Sequence, residues 1–445
     1  MMSGSHSGTS SKAPEDEPVL RRCALVLGGT GFIGASIVGQ LRRRGWRVLS
    51  AVRPGAALMS DERPCDLAKM VDADSWNSVL DGVDAVVNAA GILRETPEDT
   101  FEAVHCDAPL ALARACVQRG VTQFVQISAM GLPADGEFIA SKHRFDDALR
   151  ALLPTALILR PSVIFATSGS HGGTSLLRAL AAVPIVLPLP GRGQWMIQPS
   201  AADDLAALVA IGLDDRVDGV YEVGGPRALT LRDYQLSWRR WLRVPGKACW
   251  CLPESWIDVA MRLGDVFGRG PMTAVVWRML RRGNVAQPGA HATLRDKFGF
   301  APRDVETVLA EQPSSVQDRW HARLHLLVAP LRLSAVALWL LSAVAGWMTP
   351  AHDIERMAAG SWLAASEPVA LARLTAGLDL VLACWLAVAA RPRPAILLMM
   401  LSVLAYTFAL GVAVPWLWLD ALGGLAKNLV ILPALAVLWV LVERR

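Results

Sequence analysis

The chain has 445 residues, 53% of them hydrophobic, and a formal net charge of only +4. That length suggests two or three domains, and a mean hydropathy of +0.35 calls for a membrane part. The arginines are spread along the chain and form no basic stripe, so no nucleic-acid partner is expected.

The seven cysteines follow no metal-ligand spacing; no metal site is expected, and they read as reduced thiols. Residues 1–20 are rich in Ser, Gly, Pro and acids and contain no apolar core of a signal peptide. They read as a disordered tail, which leaves the following domain in the cytoplasm.

From Arg21 onward, apolar strand-like runs alternate with amphipathic helical segments, the pattern of an α/β doubly wound parallel sheet. Residues 24–27 read as the first strand, 32–44 as a helix closed by Gly45, and 46–52 as the second strand. Between the first strand and the helix, Gly28, Gly31 and Gly34 recur every three residues. The first permits a tight turn, the second lets a pyrophosphate approach the backbone, and the third lets the helix pack on the strand. Amide N–H groups at the helix start then hold the anion. Gly28, Thr30, Gly31, Phe32, Ile33 and Gly34 are therefore candidate cofactor contacts.

The residue closing the second strand faces the adenosine ribose: an acid accepts from a 2'-hydroxyl, an arginine accommodates a 2'-phosphate. Here it is Arg53, with no acid next to it in sequence, and NADP(H) is favoured over NAD(H). Asp66 and Leu67 then offer an acid where an adenine amino group is bound. Residues 83–88 form the next strand, ending in Asn88, Ala89, Ala90 and Gly91, whose small side chains leave room for a cofactor.

The glycine loop, the Asp66-Leu67 pair, the Asn88 to Gly91 run, the strand over 124–128 and residues 159–165 come in the order seen in extended and atypical short-chain dehydrogenases/reductases. The resemblance spans residues 21–312 and implies a Rossmann domain with a small substrate-covering part, in the branch that includes the 39 kDa accessory subunit of respiratory complex I. It also implies that backbone at Pro161 and Val163 lines the nicotinamide.

Carbonyl-reducing members of this superfamily pair a Ser with a Tyr-x-x-x-Lys helix: the lysine lowers the tyrosine pKa, the tyrosine moves the proton and the serine orients the carbonyl. Ser128 and Lys142 fall at the matching positions, where Lys142 also serves the nicotinamide ribose. Four residues before Lys142 stands Phe138, which has no ionisable proton. None of Tyr221, Tyr234 and Tyr406 has a lysine four residues on, so a replacement acid would be Asp135, Glu137 or His143. The alternative is reduction of a quinone or conjugated acceptor that takes its proton from water.

After a linker at 313–325, four apolar segments over 326–348, 369–390, 395–419 and 424–442 are each long enough to span a hydrocarbon core of roughly 30 Å. Arg319, Arg323, Arg391, Arg393, Arg444 and Arg445 fall on one side by the positive-inside rule, with Asp420 on the other. That puts both termini and the Rossmann domain on the cytoplasmic side of an inner (plasma) membrane. Within the spans, Arg332 and Arg373 read as snorkelling side chains. Asp379 and Lys427 read as candidates to bind a polar head group or to pair with each other. The four-span module at 326–445, with Gly423 to Asn428 opening its last helix, resembles the DoxX-like family, whose relatives are linked to quinone-dependent oxidoreductases. Two functions follow: an oxidoreductase with a membrane lipid or quinone-like acceptor, or a non-catalytic NADPH-binding component of a membrane protein complex.

Overall fold

The computed structural model describes residues 22–55, 58–266, 274–419 and 424–443. The N-terminal tail, Asp420, Gly423, Arg444 and Arg445, which carry expectations above, lie outside the described residues. Two compact units divide the chain. Of the described residues, one contains those within 22–174, 188–241 and 249–313, the other those within 175–187, 242–248 and 314–443.

The first unit is built on β1 (Cys23–Leu27), α1 (Phe32–Arg43), β2 (Arg47–Val52), β3 (Glu62–Pro64), β4 (Ala85–Asn88), α2 (Ala108–Arg119), β5 (Gln123–Ile127), α3 (Glu137–Leu152) and β6 (Leu157–Pro161). With the strand Gly219–Val223 they make a seven-stranded parallel sheet in the order Gly219–Val223, β6, β5, β4, β1, β2, β3. Its central strands β1, β4 and β6 read as near-continuous apolar runs because both faces are covered. Along β1, Ala24 and Val26 join one core with Ile37 and Leu41 of α1 and Leu205 and Leu208 of the helix Ala202–Asp214. Cys23, Leu25 and Leu27 join the opposite core with Leu112 and Cys116 of α2 and Phe145 and Leu149 of α3. This two-residue alternation is the pleat of a strand buried on both sides.

The strand order reverses between β1 and β4, and such a switch point opens a crevice at the carboxyl ends of the strands. Leu27 is level with Ala51 of β2 and Asn88 of β4, and Asn88 is level with Gln126 of β5. The ends of four strands therefore reach one rim together.

In the second unit, helices Val316–Met348, Pro368–Val388 and Arg393–Ala413 are long and apolar enough to cross a membrane. Ala335, Trp339, Leu382, Leu386, Met399 and Leu438 pack among them, while Leu333, Leu341, Leu374, Val381 and Phe408 are exposed. An apolar exterior around a packed interior suits lipid as solvent. Gly346 and Ala376 meet where two helices cross, so close that a Cβ on Gly346 would lie 2.8 Å from that of Ala376.

Two expectations change. The linker at 313–325 is helical from Val316 onward, because Ser315 and Asp318 form a reciprocal capping box that starts the first long helix there. The fourth apolar segment forms only the 14-residue helix Asn428–Leu441. At about 1.5 Å per residue it reaches some 21 Å, short of a full span. Lys427 precedes it in a turn, and Asn428 is held by donating to Thr407 Oγ1 at 2.7 Å.

Candidate cofactor and active site

β1 runs into the glycine loop, and the packing there leaves no volume for side chains. Gly28 has φ +70°, a left-handed conformation, and a Cβ on it would lie 3.0 Å from the Ala89 carbonyl oxygen and 3.1 Å from the Ala90 Cα. A Cβ on Gly34 would run into the carbonyl of Gly28. Gly31 precedes α1 as its N-cap, and its N–H donates to the Gly28 carbonyl at 2.9 Å. Among the described residues, no side chain caps α1, and no acid occupies its first turn. A helix start with bare N–H groups and a bare glycine approach fits the pyrophosphate of a dinucleotide. Thr30 is exposed there, while Phe32 and Ile33 pack on the core behind.

Opposite the loop, Asn88 is buried. Its amide donates to Gln126 Oε1 at 2.8 Å and accepts from the Ala90 N–H at 3.2 Å, which shapes the small-residue run through Ala89, Ala90 and Gly91. Asp66 accepts from the Ala68 N–H and pairs with Lys69 at 2.9 Å, and Leu67 packs on the core. Pro161 is buried at the end of β6, its carbonyl accepting from Met130 N–H, and the Val163 carbonyl accepts from Ser200 N–H.

Arg53 follows β2, and its guanidinium lies 2.8 Å from Asp99. The sequence neighbours of Arg53 include no acid; in the fold an acid reaches it from the loop after β4, far away in sequence.

At Gly91, a Cβ would stand 3.2 Å from Lys142 Nζ and 3.4 Å from His105 Nε2, so the backbone meets a lysine and a histidine. Lys142 is 6% exposed and donates to the Ile127 carbonyl at 3.1 Å. Burial pushes its pKa down to about 8, opposed by the charge of Asp146. His105 Nε2 accepts from the Ile92 N–H at 3.0 Å, so its proton sits on Nδ1 and goes to Ser141 Oγ at 2.9 Å. The Ser141 hydroxyl in turn donates to the Glu137 carbonyl at 2.7 Å. Burial, helped by the Lys142 charge, pushes the His105 pKa down to about 2, so the ring stays neutral.

Phe138 occupies the turn before Lys142 with its ring edge-on to His105 at 5.7 Å and to Phe101 at 6.3 Å. The wall where a phenol would stand is thus aromatic and apolar. His105 lies in a π-helical stretch, Glu102–Asp107, a geometry common at functional sites.

Ser128, expected to orient a substrate carbonyl, is buried here and has a partner inside the fold. It donates at 2.7 Å to Asp146, which is wholly buried and paired with Arg160 at 2.8 Å. A buried carboxylate needs every donor within reach, and the hydroxyl supplies one. Even so, burial raises the Asp146 pKa against the pull of Ser128 and Arg160.

The replacement acids are also engaged. Asp135 caps the Leu132 N–H and pairs with Arg282, Glu137 pairs with Arg144, and His143 Nε2 donates to the Ala129 carbonyl.

Within the helical unit, Asp379 is 4% exposed and accepts from Ser342 at 2.6 Å and Tyr406 at 3.5 Å. It makes no ion pair with exposed Lys427 among the described residues, which removes the pairing alternative. Arg332 donates to the Leu386 and Ala389 carbonyls and Arg373 to those of Gly346 and Thr349. Both arginines satisfy the open carbonyls at a neighbouring helix end.

Residues 24–148 match the NAD dependent epimerase/dehydratase family and residues 336–439 the DoxX-like family. The N-terminal part is an epimerase-type, Rossmann-like NAD-binding domain, and the C-terminal part is a DoxX-like helical domain. The chain is 28% identical over 253 residues to NADH dehydrogenase (ubiquinone) 1 alpha subcomplex subunit 9 of Arabidopsis thaliana, covering 50% of this chain and 60% of that protein. It is 29% identical over 195 residues to a ceramide reductase of Caulobacter vibrioides, covering 43% of this chain and 61% of that one. The chain therefore spans about 60% of the length of these relatives. The crystal structure of gox2253 shares the fold, with TM-score 0.50, 22% identity and coverage of 68% of this chain and 99% of that one.

Proposed function

We propose that the protein is a membrane-anchored, NADP(H)-binding oxidoreductase for a hydrophobic acceptor such as a quinone or lipid. The observation that carries this reading is the wall formed by Phe101, His105 and Phe138 against buried Lys142 and Gly91. Phe138, the partly exposed ring of this cluster, offers an acceptor apolar contact and withholds an acidic proton, which suits an acceptor whose reduced form is protonated by water.

Gly28, Gly31, Gly34 and the N-terminal amides of α1 would hold the pyrophosphate, with Ala89 to Gly91 lining the approach. Lys142 would take the nicotinamide ribose, Asp66 the adenine and Arg53 the 2'-phosphate, while Pro161 and Val163 would border the nicotinamide. When bound, the nicotinamide supplies hydride chemistry. His105, neutral and fixed at both nitrogens, positions the Gly91–Ile92 backbone and moves no proton. The similarity to a ceramide reductase favours a lipid among the acceptors.

In the helical unit, Asp379, with Ser342 and Tyr406, offers a carboxyl and two hydroxyls to the polar head of such a molecule; exposed Lys427 is a second candidate. The positive-inside rule supports a cytoplasmic N-terminal unit on an inner membrane.

A second reading, a non-catalytic NADPH-binding component of a membrane complex, draws on the Ser128–Asp146 bond and the absent phenol, and on the similarity to the NADH dehydrogenase subunit. Purification in detergent, assay of bound nucleotide and single-turnover oxidation of NADPH with quinone analogues and long-chain keto-lipids separate the two. Oxidation by either acceptor class supports the enzyme, tight binding with no oxidation supports the structural role, and no binding overturns both.

A further inference from the structure

The arginine that closes β2 is held by a carboxylate from another loop. Arg53 Nη2 and Asp99 Oδ2 lie 2.8 Å apart, the arginine side chain 77% exposed and the aspartate 17%. The loop carrying Asp99 is pinned: Thr96 N–H donates to the Asp99 carbonyl at 2.9 Å, Asp99 N–H donates to Thr96 Oγ1 at 3.0 Å, and Phe101 N–H donates to Glu95 Oε1 at 2.8 Å. The carboxylate is thus presented from a fixed turn, and the long arginine is the partner free to move.

On this geometry, and resting on the dinucleotide reading above, we infer that Asp99 is a specificity-determining residue that opposes Arg53. A 2'-phosphate must take the guanidinium from Asp99 and then remain beside a like charge. A 2'-hydroxyl displaces nothing and finds in Asp99 the acceptor that NAD(H) sites place near the ribose. The pair therefore narrows the NADP(H) preference that Arg53 alone would set, and the sequence neighbourhood of Arg53 gives no sign of it.

The test is titration of the full chain in detergent with NADPH and with NADH, following nicotinamide fluorescence, for wild type, Asp99→Asn, Asp99→Ser and Arg53→Ala. Both Asp99 variants remove the charge while leaving the backbone bonds of the turn. Each is expected to raise the NADPH-to-NADH affinity ratio on the order of fivefold, the scale of an exposed charge pair. Arg53→Ala is expected to lower the ratio below wild type. An unchanged ratio in the Asp99 variants, with nucleotide still bound, overturns this inference and leaves the dinucleotide reading standing. Wild-type protein that binds neither nucleotide overturns the reading and the inference together.

Discussion

Ser128 and Asp146 are joined by a 2.7 Å hydrogen bond inside the N-terminal unit, with Arg160 completing the pair from β6. The hydroxyl that a carbonyl reductase directs at its substrate is here part of the interior. Asp146→Ala strands Arg160 and Ser128, and a broken buried pair costs about 3 kcal/mol. That corresponds to a drop of about 6 to 12 °C in the melting temperature of this unit. Asp146→Asn, which still accepts from Ser128, should lose less. A thermal melt followed by tryptophan fluorescence checks both, and equal losses would contradict the role given to the hydrogen bond.

Lys142 sets a pH dependence. Its folded pKa of about 8 lies below its usual 10.5. Between those values the unfolded chain keeps a proton that the folded chain has lost, so stability rises with pH across that window; below pH 8 the full cost of the buried charge remains. The cost is on the order of 3 kcal/mol. Lys142→Met should therefore melt higher than wild type at pH 7, and the gap should close between pH 8 and pH 10. Parallel melting curves across that range would refute it.

Phe138→Tyr puts a phenol one helical turn before a lysine that is already in place. General acid catalysis contributes about 10²- to 10⁴-fold. Steady-state NADPH oxidation with simple ketones should rise from background in the variant by at least the lower figure. No rise, with nucleotide binding intact, would mean that the substrate carbonyl does not reach this wall.

The doubly wound sheet, the glycine turn and the start of α1 were legible in the sequence because each depends on local pattern: strand runs, glycine spacing and the Phe32 to Arg43 periodicity. His105 and Asp99 were not legible. Each is a lone polar residue in an ordinary stretch, and what matters is a partner brought in by topology: Gly91 and Ser141 for one, Arg53 for the other. Ser128 was found by position, but its bond to Asp146 depends on how α3 lies against β5. In the helical unit the apolar content was plain, whereas the length of the last helix was not. Hydropathy runs on through 424–427, where the backbone is still in a turn.

Glycine tolerance separates the loop from the helix it starts. Gly34→Ala drives a Cβ into the Gly28 carbonyl and should destabilise the unit by at least about 2 kcal/mol with loss of nucleotide binding. Gly39→Ala, on the same helix, meets only Arg43 Nη2 at 4.0 Å and should gain up to about 1 kcal/mol. Melting curves and nucleotide titration of the two variants distinguish steric exclusion from a general intolerance of α1.

Asp379→Leu removes a buried carboxyl whose partners are two hydroxyls. Ser342 and Tyr406 lose their acceptor, so the helical unit should be less stable by about 1 to 3 kcal/mol while remaining folded. Binding of a quinone analogue or lipid, read by equilibrium dialysis, should fall at least tenfold. Unchanged binding in Asp379→Leu and in Lys427→Ala would remove the head-group assignment.

The most direct test of the dinucleotide site is a fluorescence titration of the full chain in detergent with NADPH. One equivalent should saturate the wild type, and Gly34→Ala should bind none. A flat titration of wild type with both NADPH and NADH, or full binding by Gly34→Ala, would contradict the site built on Gly28, Gly31 and Gly34.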